Sequence, residues 1–230
     1  EVTSKEHLHK LASPKMEGRG TGSDGAQKAT EYIESVFQQH GLKPLGDANS
    51  YRQHFHVNYR RIKHQVEQSR VVEADSFSGG KVIANNVLGL LEGRTASNSY
   101  VLVVAHFDHL GIKRGKVHPG ADDNASGVSV MLELVTKMVS IDSTQRDDIV
   151  FVAFSGEEYG LLGAKYLVSA PTFELDKVKA VINLEMLGRV DNRNKRNDNY
   201  IYSLGANLHS DRLAQLIKDA ARQSGITIDR

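Results

Sequence analysis

The sequence predicts an α/β protein whose sheet is covered by helices on both faces. Two observations carry that expectation. Runs at 100–105 and 149–154 are short, continuously apolar and rich in β-branched residues, as strands buried on both sides must be. Around them apolar residues recur at helical spacing, with Val128, Met131, Leu132, Val135 and Met138 in one segment and Leu213, Leu216, Ile217 and Ala220 in another. At about 150 residues per domain, 230 residues make roughly 1.5 domains, so one compact domain over 1–230 is expected.

The elements follow in order. A short helical pattern fills 4–12 and stops at Pro14. The stretch 17–23 holds three glycines and reads as a loop, after which Ser23 or Asp24 caps a longer helix with Ala29, Tyr32, Ile33, Val36 and Phe37 on its apolar face. Gly41 closes that helix as a C-cap. Alternation through Phe55, Val57, Tyr59, Val66 and Val71 predicts antiparallel strands with one wet face, and the basic cluster Arg60, Arg61 and Lys63 belongs to that solvated face. Another strand is expected at 86–91. Strands at 100–105, 149–154, 178–184 and 200–204 then alternate with helices near 127–140, 158–170 and 210–224, and polar residues 191–199 form an exposed loop. No internal repeat is present.

Composition narrows the function. With 40% hydrophobic and 25% charged residues, wholesale disorder and a collagen-like repeat are excluded. No apolar run approaches the ~20 residues of a membrane-spanning helix. Twenty-nine basic residues against 28 acidic leave a net charge of +1, so no strong field recruits nucleic acid and none is expected as a partner. The absence of cysteine removes disulfides, thiolate metal sites and cysteine nucleophiles together, so any transition metal must sit on His, Asp and Glu. The chain opens at Glu1 without a methionine and without a basic start followed by an apolar run, so the expectation is that a leader has been removed or left out and that the protein is exported, secreted or of the periplasm and cell envelope.

The informative fact is where acidic and imidazole groups fall relative to the strands. His106-Phe107-Asp108-His109 follows the first apolar run directly. Gly120-Ala121-Asp122-Asp123-Asn124-Ala125-Ser126-Gly127 leads into a helix, Ser155-Gly156-Glu157-Glu158 follows the next strand, and Asn183-Leu184-Glu185-Met186 ends the third. Singly, each has an ordinary reading: a turn and cap at Asp122 or Asp123, dipole-complementing charge at Glu157 and Glu158. Together they deliver one histidine and several carboxylates to the strand ends, where open α/β sheets bind ligands. Carboxylates packed without a cation repel one another, and imidazole with carboxylate suits Zn²⁺, or less readily Mn²⁺ or Co²⁺.

These segments, with Met16-Glu17-Gly18-Arg19-Gly20-Thr21-Gly22 and Gly41-Leu42-Lys43-Pro44, resemble the co-catalytic dizinc aminopeptidases of bacterial and extracellular type. Relatives of that family include glutamate carboxypeptidases, glutaminyl cyclases and the transferrin receptor ectodomain. The resemblance implies a three-layer α/β/α sandwich around a mixed, mainly parallel sheet. It implies two Zn²⁺ ions and hydrolysis of N-terminal residues from peptides by a metal-activated water. Residue by residue, His106 and Glu185 would bind the first zinc, Asp122 would bridge both and Glu158 would bind the second. Glu157 would act as general base, and Asp108 would hold the free nitrogen of the His106 ring. The family usually carries aspartate at the position of Glu185. Its second zinc also takes a histidine from beyond the last helix, so the chain is expected to be shortened at its C-terminus and to hold one zinc tightly at most. His109 and His118 match no ligand position, and His209 fits that role poorly. The competing expectations are a glutaminyl cyclase-like single-zinc transferase, or an inactive fragment or binding ectodomain of the same fold.

Overall fold

The computed structural model describes residues 2–58, 81–93, 99–194 and 199–229. Contacts group the chain into two units, Glu1–Met186 and Leu187–Arg230. In the first, six strands form one sheet: β1 (Lys43–Pro44), β2 (Arg52–Asn58), β3 (Lys81–Leu91), β4 (Tyr100–His106), β7 (Asp148–Phe154) and β8 (Val178–Asn183). A two-stranded hairpin, β5 (Ile112–Lys113) with β6 (Lys116–Val117), stands apart from it.

The strand order is β1-β3-β7-β4-β8, with β2 also paired to β3. β7, β4 and β8 are mutually parallel, whereas β3 runs antiparallel to each of its neighbours, β1, β2 and β7. The sheet is therefore mixed, with β3 alone reversed. In the parallel part the register pairs His106 with Phe154 and Val104 with Asn183, so three strands end side by side. Everything that follows those ends is carried to one rim.

Helices cover both faces. α1 (Ser4–Leu11), α2 (Asp24–Gln39) and α3 (Gly127–Val139) pack one face, where Leu11, Ile33, Phe37, Met131 and Val135 meet Val87, Val103 and Phe151. α4 (Leu162–Ser169) lies on the other with Leu167 against Leu102, Val104, Val150 and Val152. Burying a side chain of this kind contributes about 1.5–3 kcal/mol, which fixes the helices to the sheet. α1 is capped by Thr3 in a reciprocal pair with Glu6. Ser23 caps α2, accepting from the N–H of Ala26, and Gly41 follows the helix with φ +70°. The helix expected at 158–170 is split: a single turn at Glu157–Tyr159 precedes α4, and Gly160 and Leu161 between them take positive φ.

The second unit holds β9 (Tyr200–Tyr202) parallel to β10 (Thr227–Asp229), with α5 (Ala206–His209) and α6 (Asp211–Ser224) between them. Ser210 caps α6 and Gly225 ends it in the left-handed conformation. The strand expected through 59–72, with Arg60, Arg61 and Lys63, and residues 195–198 of the expected polar loop fall outside the described residues, as does the side chain of His209.

Candidate metal centre

His106 is the last residue of β4 and is only 4% exposed. Its Nε2 faces two carboxylates, Asp123 Oδ1 and Glu185 Oε1, each at 3.2 Å. Its Nδ1 lies 3.1 Å from the backbone carbonyl of Asp108 and 3.6 Å from that residue's carboxylate, so the main chain makes the closer contact. Burial alone would lower the pKa of this ring, but contact with Asp108 and Glu185 outweighs it and holds the imidazole up at about 10. Such a pocket favours a cation.

A second group lies alongside. His109 Nδ1 is 2.7 Å from Glu158 Oε1 and 3.9 Å from Asp123 Oδ2. Among the described residues, His106, Asp123 and Glu185 form one set whose donor atoms lie within 4.8 Å of one another, and His109, Asp123 and Glu158 form another. Asp123 belongs to both, presenting a different oxygen to each imidazole. Burial and the charge of Glu158 raise its pKa, as expected of a carboxyl placed among others with no ion between them. Glu158 Oε1 is buried and takes no hydrogen bond, an orphaned oxygen that a metal ion would satisfy. Oxygen and imidazole donors in these sets fit Zn²⁺.

The aspartate brought to the imidazoles is not the one the resemblance implies. Asp123, not Asp122, faces both imidazoles, and Asp122 belongs to neither set. Within the wide turn Ala121–Ser126, Asp123 leaves helical geometry at φ −105°, ψ 96°, so adjacent side chains project in different directions and only one of the two carboxylates can meet His106. Gly120 opens the turn at φ +52°, where an added Cβ would stand 2.4 Å from the His109 ring. His109 was passed over in the sequence because it matches no ligand position. It and Asp123 both sit in the motifs already singled out, and the fold brings them beside Glu158.

Several buried groups position these donors. Asn124 donates to the carbonyl of Leu184 at 2.9 Å and accepts from the N–H of Met186 at 3.1 Å, bracketing Glu185 from both sides. Asn86 on β3 donates to Gly163 O and accepts from the N–H of Ser155, fixing both ends of the loop that carries Glu157 and Glu158. Arg19, fully buried, donates to the carbonyls of Phe107, Leu11, Pro119 and Gly120, which joins the two segments carrying His109 and Asp123. Burial draws its pKa down to about 10 against the opposing charges of Asp108 and Asp123.

Glu157 lines a pocket of about 260 Å³ with His106 and Glu185, while Val104, Phe154, Leu161 and Ala164 form its apolar wall. Its N–H donates to Asp108 Oδ1 at 3.1 Å. Burial, with the charges of Asp108, Glu158 and Glu185, raises its pKa despite the opposing effect of His106. A carboxyl so placed can both accept and return a proton.

The sequence profile of Peptidase family M28 matches residues 86–229, the part that holds all of these donors. The chain belongs to that peptidase family. A probable zinc metalloprotease of Pyrenophora tritici-repentis is 30% identical over 183 residues, which is 78% of this chain and 38% of that protein. Aminopeptidase YwaD of Bacillus subtilis is 36% identical over 107 residues, 46% of this chain and 22% of that protein. This M28 chain thus spans well under half the length of either relative. The zinc aminopeptidase BSAP from Bacillus subtilis shares the fold, with a TM-score of 0.70 over 99% of this chain and 79% of the other, at 16% identity.

Proposed function

We propose that this chain is the catalytic region of a zinc-dependent aminopeptidase that removes N-terminal residues from peptides. The observation that carries the reading is the pairing of two donor sets through Asp123 with Glu157 in the adjoining pocket. His106, Asp123 and Glu185 would hold one zinc, and Glu158 with Asp123 would contribute to a second. Zinc, when bound, supplies Lewis acidity that polarises a peptide carbonyl and lowers the pKa of water.

The protein's own groups do the rest. Glu157 takes the proton of the attacking water and passes it to the departing amine, so the proton count closes over one turnover. Asp108 fixes both the His106 ring and the backbone of Glu157. The wall of Val104, Phe154, Leu161 and Ala164 suits an apolar side chain on the residue removed. An exported location belongs to the same proposal; among the described residues no helix is long and apolar enough to cross a membrane.

Hydrolysis of leucyl p-nitroanilide beside its N-acetyl derivative tests the reading. Turnover of the free amine alone, lost to a chelator and restored by zinc, is expected. Equal cleavage of the acetylated compound, or indifference to chelator, overturns it. A single-zinc glutaminyl cyclase-like transferase is the second reading, and the presence of a second donor set argues against it. Ammonia release from peptides with N-terminal glutamine would support that alternative.

A further inference from the structure

We propose that Asn86 and Gln53 are positioning residues for the reaction, a buried amide pair that places Glu157 by gripping the neck of the turn that carries it. The inference rests on the zinc-peptidase reading and adds to it two side chains that act from outside the site. Neither is among the residues that line the pocket beside Glu157.

The placement starts in the strands. Gln53 on β2 and Asn86 on β3 are direct cross-strand partners, and both are buried, 1% and 0% exposed. Side chains alternate along β3, so Asn85 turns to the α2 face, where it donates to Thr30 Oγ1, and Asn86 turns to the α4 face. Phe55, Ala84 and Leu88, all buried, are the apolar neighbours of the pair on that face. A buried amide in such surroundings is costly unless its polar atoms find partners. Both amides meet that demand. Asn86 Nδ2 donates to Gln53 Oε1 and to Gly163 O, each at 2.9 Å, and Asn86 Oδ1 accepts from the N–H of Ser155 at 3.2 Å. Gln53 Nε2 donates to Ala170 O at 2.7 Å.

The pair holds the neck of a turn. The chain leaves β7 at Ser155 and is inside α4 by Gly163, and across that neck the N–H of Gly163 donates to Ser155 O and that of Leu162 to Gly156 O, both at 2.9 Å. Asn86 bridges the same two residues from the side, holding Ser155 by its N–H and Gly163 by its carbonyl. The approach is so close that a Cβ on Gly163 would stand 2.2 Å from Asn86 Oδ1. Gln53 adds a hold on Ala170, just past the end of α4, so β2 and β3 together grip that helix at both ends. On its other side the turn is docked through Glu157, whose N–H donates to Asp108 Oδ1 at 3.1 Å. Glu157 is thus held from two directions. With Asn86 gone the neck keeps its backbone bonds but loses its anchor to β3, and a misplacement of about 1 Å can slow a reaction about 10²-fold.

The test is hydrolysis of leucyl p-nitroanilide at saturating zinc, with thermal unfolding and amide exchange measured on the same preparations. Wild type is compared with Asn86→Ala, Gln53→Met and Asn85→Ala, and the first two are also combined with Glu157→Gln. A group that acts only through the base lowers kcat and leaves KM nearly unchanged. Asn86→Ala should lower kcat by about 10- to 100-fold, with the amides of Ser155 and Gly163 exchanging about tenfold faster. Gln53→Met, which leaves the neck in place, should lose about 3- to 10-fold, and it carries the comparison should Asn86→Ala fail to fold. Asn85→Ala, which loses a bond to α2, should keep the wild-type kcat. On top of Glu157→Gln, neither amide substitution should lower kcat much further, because the group it places is already gone. An unchanged kcat in the folded variants, unchanged amide protection, a full loss repeated on top of Glu157→Gln, or an equal loss in Asn85→Ala overturns the inference and leaves the peptidase reading standing. A wild type that hydrolyses no aminoacyl anilide with zinc present overturns both.

Discussion

Thr21 donates its hydroxyl to Asp108 Oδ2 across 2.8 Å, and both side chains are wholly buried. The other oxygen of Asp108 accepts from the N–H of Glu157, and its carbonyl meets His106 Nδ1. One carboxylate thus joins the glycine-rich segment before α2 to the end of β4 and the start of the Glu157 turn. Replacing Thr21 by Val keeps the shape and leaves a buried carboxylate oxygen unpaired, which costs about 1–3 kcal/mol. Urea denaturation should show that loss in Thr21→Val and its recovery in Thr21→Ser. If Val and Ser behave alike, the hydroxyl has no such role.

Arg19 is expected to be the least replaceable residue outside the donor sets. Its guanidinium serves four carbonyls from segments up to 101 positions away. Arg19→Met should destabilise by at least about 4 kcal/mol, since each orphaned buried carbonyl costs about 1–3 kcal/mol. Arg19→Lys should recover little, because an ammonium cannot span the fork of a guanidinium. Denaturant midpoints of both variants check this, and a near-normal Lys variant would contradict it.

Gly120→Ala should act on the second donor set before the first. Alanine at φ +52° is strained by roughly 1–2 kcal/mol, and its Cβ would displace the His109 ring. Metal titration should show the weaker equivalent loosened while binding through His106 persists.

Glu157→Gln should leave metal content unchanged and lower kcat by about 10²–10⁴-fold, the usual worth of general acid–base assistance. Glu158→Gln should instead loosen a metal. Near-normal turnover in the Glu157 variant would remove it from the role of base.

Away from the site, Glu133 on α3 joins α1 to the core. It accepts from the N–H of Ser4 at 2.8 Å and pairs with Lys137. Lys137 first, then Ser4, hold its pKa down at about 2 in the folded chain, against 4.5 without these partners. A pKa lowered by folding means that its contribution is present above about 4.5 and disappears as pH falls from there towards 2. Glu133→Gln should therefore flatten the acid limb of a stability-against-pH curve in that window. An unchanged acid limb would show that the pairing does not contribute.

Local pattern determined a large part of this protein. Apolar runs at β4 and β7 and the 3.6-residue spacing in α2 and α3 needed no partner to be read, because burial on two faces or on one stripe is written into consecutive residues. The same logic brought His106, Glu157, Glu158 and Glu185 to strand ends. Only the tertiary structure decided which neighbours of those residues come together beside them. The choice between Asp122 and Asp123 depends on one backbone turn inside Ala121–Ser126, and two adjacent aspartates look alike in sequence. His109 meets Glu158 because β4 and β7 lie side by side, a pairing of residues 49 positions apart. Arg19 reads as a loop cation, the commonest state of an arginine, and becomes a buried fork only when Leu11, Phe107, Pro119 and Gly120 turn their carbonyls to one point. Hydrophobic period is a property of neighbours along the chain, whereas ligand and hydrogen-bond geometry belong to neighbours in space, and folding alone creates those.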